Sequence, residues 1–107
     1  MAMAMFSAQV GLWIDPTRAL IVFAKSLTAH VVESRLLSNT RFYDNVIHAL
    51  GTPGPLLVVG PGDTKAELFE RLAETAERPG WVVLLEQSRC WRDRDILAEL
   101  AERLRGA

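Results

Sequence analysis

Apolar residues in this chain fall in short, nearly unbroken runs, with polar residues gathered between them. Val10-Gly11-Leu12-Trp13-Ile14 is apolar throughout, which suits a central strand covered on both faces. Asp15-Pro16-Thr17-Arg18 reads as a turn, with Pro16 presetting its backbone angle. Ala19–Ala24 then returns as a second strand, and the short link makes it antiparallel to the first. After Lys25-Ser26-Leu27-Thr28, the segment Ala29-His30-Val31-Val32-Glu33-Ser34 reads as a third strand. Its polarity fits a sheet edge, with Glu33 and Arg35 in water.

Helical spacing takes over from there. Phe42, Tyr43, Val46, Ile47, Ala49 and Leu50 recur at intervals of three and four, behind an expected N-cap at Asn39 or Thr40. Gly51-Thr52-Pro53-Gly54-Pro55 ends this helix, and Leu56–Val59 follows as a fourth strand. A second helix is predicted from Thr64 to Glu77, burying Leu68, Phe69, Leu72 and Ala76. Glu67/Arg71 and Glu74/Arg78 are expected to pair on its outer face, and Arg78-Pro79-Gly80 to stop it. Trp81–Leu85 has the apolar continuity of a parallel, doubly covered strand. Asp93–Arg105 closes the chain as a helix burying Ile96, Leu97, Leu100, Ala101 and Leu104.

The resulting order, β-β-β-α-β-α-β-α, constrains the sheet. The opening meander lies to one side of the first strand. Right-handed crossovers then put the fourth and fifth strands on its other side, parallel to it. The predicted fold is α/β: a mixed five-stranded sheet of order 3-2-1-4-5, second strand antiparallel, with three helices, which is the ribonuclease H-like arrangement. The carboxyl ends of strands one, four and five share one edge, and Asp15, the Gly60-to-Lys65 turn and Glu86 are expected there.

Composition narrows the functional classes. With 107 residues, 50% of them apolar and 23% charged, the chain has the balance of one ordinary globular domain. That domain is expected over residues 9–107. Residues 1–8, which include Met1-Ala2-Met3-Ala4-Met5-Phe6, read as a poorly ordered extension, too short and too uncharged for a secretory signal. A net charge of -1 gives no global pull towards nucleic acid or an acidic membrane, although a local patch remains open. No apolar run approaches the ~20 residues that span a bilayer, so no membrane partner is expected. A single cysteine, Cys90, rules out an internal disulfide and fits a cytoplasmic setting.

Four segments carry candidate chemistry. Gly60-Pro61-Gly62-Asp63-Thr64-Lys65 hands a strand to a helix, where free N–H groups and Lys65 can hold an anion or an RNA phosphate. It departs from the nucleotide-binding Gly-x4-Gly-Lys-[Ser/Thr] loop, and Asp63 or Thr64 can cap the helix instead, so a purely structural turn stands beside the binding reading. Ser88-Arg89-Cys90-Trp91-Arg92-Asp93-Arg94-Asp95 sets Arg89, Arg92 and Arg94 around a tryptophan, a composition suited to nucleic acid. Against this, Asp93 and Asp95 offset two of the arginines, and Trp91 can serve as a staple at the helix entrance. Asp15 and Glu86 are the candidate metal ligands of an alternative reading, a metal-dependent ribonuclease H-like nuclease, whose chemistry requires several carboxylates to converge on Mg²⁺. Finally, Val31 and Val32 on the third strand offer an edge through which two copies can pair. His30, His48 and Cys90 lack ligand-like spacing, and no cofactor is implied.

Four stretches also carry a family resemblance. Phe42-Tyr43-Asp44-Asn45-Val46-Ile47-His48-Ala49-Leu50 and Leu57-Val58-Val59-Gly60-Pro61-Gly62-Asp63-Thr64-Lys65-Ala66-Glu67-Leu68 resemble the middle domain of Pelota and of the eukaryotic and archaeal class I release factors. Trp13-Ile14-Asp15 through Ala24 is similar to that domain's first hairpin, and Val82-Val83-Leu84-Leu85-Glu86 to its last strand. Small bacterial proteins carrying this domain alone look closer still. The resemblance covers roughly residues 9 to 104, and the Gly-Pro-Gly-x-x-Lys turn is its most specific piece. It implies the ribonuclease H-like fold and a connection with translation through ribosome, RNA or a protein partner. Release factors carry a Gly-Gly-Gln loop before the first helix. Here that interval is Leu36-Leu37-Ser38-Asn39-Thr40, so the resemblance implies no peptide-release activity and leans to the Pelota branch, which also lacks the tripeptide.

Overall fold

A computed structural model of the chain describes residues 7–35, 37–75 and 80–105. Its strands are β1 (Val10–Ile14), β2 (Arg18–Phe23), β3 (Ala29–Glu33), β4 (Pro55–Gly60) and β5 (Val82–Gln87). Its helices are α1 (Asn39–Leu50), α2 (Thr64–Ala73) and α3 (Asp93–Arg105). They form an α/β fold around one five-stranded mixed sheet of order β3-β2-β1-β4-β5. β1 pairs antiparallel with β2 (Leu12 opposite Ile21) and parallel with β4 (Leu12 opposite Val58), while β5 extends the parallel half (Leu57 opposite Leu84).

Strand alternation divides the apolar side chains between two cores. Leu12, Ile14, Ala19, Ile21, Leu56 and Val58 point to the face covered by α1 and α2, where Phe42, Val46, Leu50, Leu68 and Leu72 meet them. Trp13, Leu20, Val22, Leu57 and Val59 point to the opposite face, covered by Ile96, Leu100 and Leu104 of α3. The continuous apolar character of β1 follows from this arrangement, since all five of its residues are buried between two helical layers.

Several local features differ from the pattern-based reading. The N-cap of α1 is Ser38, whose Oγ accepts from the Arg41 amide at 3.2 Å, so the helix starts one residue before Thr40. Helix α2 ends at Ala73, and the Thr75 hydroxyl donates to the Leu72 carbonyl, occupying one of the open carbonyls at the helix end. Ala76, Arg78 and Pro79, assigned above to the buried face, an ion pair and the helix stop, lie outside the described residues. The expected Glu67/Arg71 pair is replaced by links between helices. Glu67 accepts the Tyr43 hydroxyl at 2.6 Å, and Arg71 forks onto Asp44 at 2.7 and 3.0 Å. Burial, then the Glu67 hydrogen bond, raises the Tyr43 pKa, while the Arg71 hydrogen bond holds the Asp44 carboxyl below its usual range.

Two other assignments change. The fifth strand starts at Val82 and, at the sheet edge where the predicted order puts it, is not covered on both faces, with Val82 57% and Leu85 36% exposed. At the other end of the chain, Ala8, placed above in the extension, is buried against the α3 layer, and the Gln9 amide donates to the Pro55 carbonyl. Among the described residues no helix is long and apolar enough to cross a membrane.

Candidate functional site

The carboxyl ends of the parallel strands lie at one edge, as the topology requires, and the candidate residues there are engaged in different ways. Gly60 ends β4 with φ +154°, and a Cβ on it would run into the Ile14 carbonyl, so only glycine allows β4 to lie this close to the end of β1. Gly62 sits in the left-handed region at φ 62° and turns the chain into α2. Pro61 is exposed and Thr64 is buried at the start of the helix. Asp63 occupies the N-cap position without a side-chain cap hydrogen bond, in contrast to its expected capping role.

Lys65 is the informative member of this turn. Its ammonium donates to the Gly60 carbonyl at 3.0 Å, the Gly62 carbonyl at 2.7 Å and the Gln87 side-chain oxygen at 2.9 Å. An ammonium has three protons, and all three are taken. Lys65 therefore fastens the β4–α2 turn to itself and to the end of β5. Presenting it to an anion would mean breaking these bonds.

Asp15 is similarly committed to local structure. Its Oδ1 accepts from the Thr17 amide at 2.8 Å, the Thr17 hydroxyl at 2.7 Å and the Arg18 amide at 3.0 Å, closing the β1–β2 hairpin. Glu86 forms an ion pair with Arg103 of α3. Among the described residues no group of three His, Cys, Asp or Glu side chains gathers as a metal site. His30 and His48 are both exposed, and His30 stands edge-on to Phe23.

The segment between β5 and α3 is built differently, because it is pinned from several sides and still presents a large side chain to solvent. The Trp13 indole N–H donates to the Cys90 carbonyl at 3.1 Å. Arg18 donates to the Trp91 carbonyl at 2.7 Å and pairs with Asp93 at 2.8 Å, while its guanidinium lies 5.2 Å from the centre of the Trp13 ring. The buried Ser88 hydroxyl donates to Glu99 at 2.7 Å and accepts from the Cys90 amide at 3.2 Å. With its backbone fixed in this way, the loop leaves the Trp91 side chain 68% exposed, and the Arg92 guanidinium lies 4.9 Å from its ring centre. Trp91 is thus not the buried staple that its position allowed. Arg89 and Arg94 are exposed as well.

Two residues that sequence reasoning passed over, Trp13 and Arg18, hold this loop. Strand alternation contained a usable signal. Arg18 shares its parity with Leu20 and Val22, which places it on the same face as Trp13. Asp93, which seemed to offset the arginines, has its charge met by Arg18.

Comparison with protein-family models, with curated proteins and with solved structures returns no match.

Proposed function

We propose that this domain is a non-enzymatic, translation-associated binding module that contacts ribosomal or transfer RNA through the loop bearing Trp91. The observation that carries the reading is a tryptophan 68% exposed on an anchored loop, with Arg92 against one side of its ring. Such a pair offers a stacking surface for an unpaired base, and Arg89 and Arg94 add charge for the adjoining phosphates. The link to translation rests on the resemblance of residues 9 to 104 to the Pelota and release-factor middle domain. The strand order β3-β2-β1-β4-β5 agrees with the ribonuclease H-like arrangement that this resemblance implies. In this reading the Gly60–Lys65 turn has a structural role, because Lys65 is occupied within it.

The test is binding of a fluorescently labelled single-stranded RNA oligonucleotide, followed by anisotropy across a salt series. Salt-sensitive binding is expected, weakened roughly 5- to 150-fold in Trp91→Ala, the range that corresponds to losing one stacked base. Lys65→Met should bind as the wild type does. Equal binding by Trp91→Ala and wild type would reject the assignment.

A further inference from the structure

The sequence of β5 and its position in the sheet do not agree. Val82-Val83-Leu84-Leu85 has no polar alternation, the pattern of a strand covered on both faces and hydrogen-bonded along both sides. Yet β5 ends the sheet. Helix α3 packs over β1 and β2, and α2 packs over β4, which leaves Val82 57% and Leu85 36% exposed on opposite faces of β5. The other edge strand, β3, carries the polar residues that edges ordinarily carry, with exposed His30 and Glu33 and a neighbouring Glu33–Arg35 ion pair beside one large exposed apolar side chain, Val31 at 54%.

We propose that β5 pairs with the β5 of a second copy of this chain, antiparallel about a two-fold axis at Leu85, joining two five-stranded sheets into one. The hydrogen-bond pattern sets this register. The Val82 amide donates inward to the Gly54 carbonyl of the β4 side, so Val82, Leu84 and Glu86 turn their backbone groups towards β4. Val83, Leu85 and Gln87 therefore turn theirs outward. Pairing about Leu85 sets Leu85 against Leu85 and Val83 against Gln87 of the second copy, so every outward-facing residue of the strand meets another. Charge permits the same register. Glu86, the one charged residue in β5, falls opposite Leu84 of the second copy, and its carboxylate is already paired with Arg103. The joined strands then have a neighbour on each side over Val83–Gln87 and Leu85 is removed from water, while Val82 lies at the end of the paired stretch, opposite Ser88 of the second copy. This inference is independent of the RNA-binding reading.

The mass in solution and a cysteine placed on the axis test it together. The protein should elute at twice its 11.9 kDa chain mass at high micromolar concentration. In a Cys90→Ser background, Leu85→Cys should cross-link under mild oxidation, because directly opposed hydrogen-bonded residues have Cα atoms about 5.5 Å apart, within disulfide reach. Val31→Cys, at the other edge, should not. Leu85→Lys should weaken the dimer roughly 100-fold or more, since the change acts on both copies, with an unaltered circular dichroism spectrum. Leu85→Pro, which removes an outward-facing amide from an edge strand, supplies the same test should Leu85→Lys fold poorly. A monomeric mass at every concentration would overturn the proposal, as would cross-linking through position 31 and not through 85.

Discussion

Replacing Arg18 by alanine removes the clamp that joins the β5–α3 loop to the sheet, and the size of the loss can be worked from its contacts. The guanidinium donates to the Trp91 carbonyl at 2.7 Å, and a hydrogen bond from a charged donor contributes about 1.5–3 kcal/mol. Its position over Trp13 adds about 0.5–1 kcal/mol, and the half-exposed pair with Asp93 a few tenths. Opposing these, Arg18 Nε is buried and finds no partner among the described residues, at a cost of about 1 kcal/mol. The net expectation is about 2 kcal/mol, or roughly 8–16 °C in Tm for a domain of this size. Urea and thermal unfolding followed by circular dichroism would measure it. Arg18→Lys should recover the Asp93 pair but not the stacking, and fall between the two. A loss below about 0.5 kcal/mol, the range of ordinary surface substitutions, would refute the clamp.

Other substitutions bear on the remaining elements. Gly60→Ala should cost about 3 kcal/mol or more, visible as loss of soluble protein or of a cooperative melt, because its Cβ meets the Ile14 carbonyl and φ is +154°. Lys65→Met should cost about 1–2 kcal/mol in urea unfolding by releasing the two turn carbonyls and Gln87. The Asp44 carboxyl titrates lower when folded than when unfolded, since Arg71 favours its charged form. Its contribution to stability is therefore complete above the unfolded carboxylate pKa of about 4 and fades as pH falls through the folded value. Asp44→Asn should show a smaller decline of Tm over that acid range than the wild type.

Much of the fold could be read from local pattern, and the departures have identifiable causes. Val10–Ile14 and Asp93–Arg105 were legible from the chain because a buried apolar run and a three-four periodicity with an acidic first turn each have one simple solution. The strand order followed from the short links of the opening meander and the handedness of the crossovers. The outer face of α2 was misjudged because spacing along one helix cannot report that Tyr43 and Asp44 of α1 lie within reach of Glu67 and Arg71. The place of β5 at the end of the sheet was legible, but its cover was misjudged, because apolar continuity reports that a strand should be covered, not which neighbour covers it. At the candidate site, composition alone identified Arg89, Trp91 and Arg92. The clamp from Arg18 and the third contact of Lys65, to Gln87, depend on residues 73 and 22 positions away in the chain, a separation beyond any local pattern.

Ribosome co-sedimentation across a salt series tests the central claim most directly, with Trp91→Ala and Lys65→Met run beside the wild type. The account predicts that wild type and Lys65→Met pellet with ribosomes at low salt and are released as salt rises, while Trp91→Ala stays in the supernatant. Absence of the wild type from the pellet at low salt, or loss of pelleting in Lys65→Met with Trp91→Ala unaffected, would contradict it.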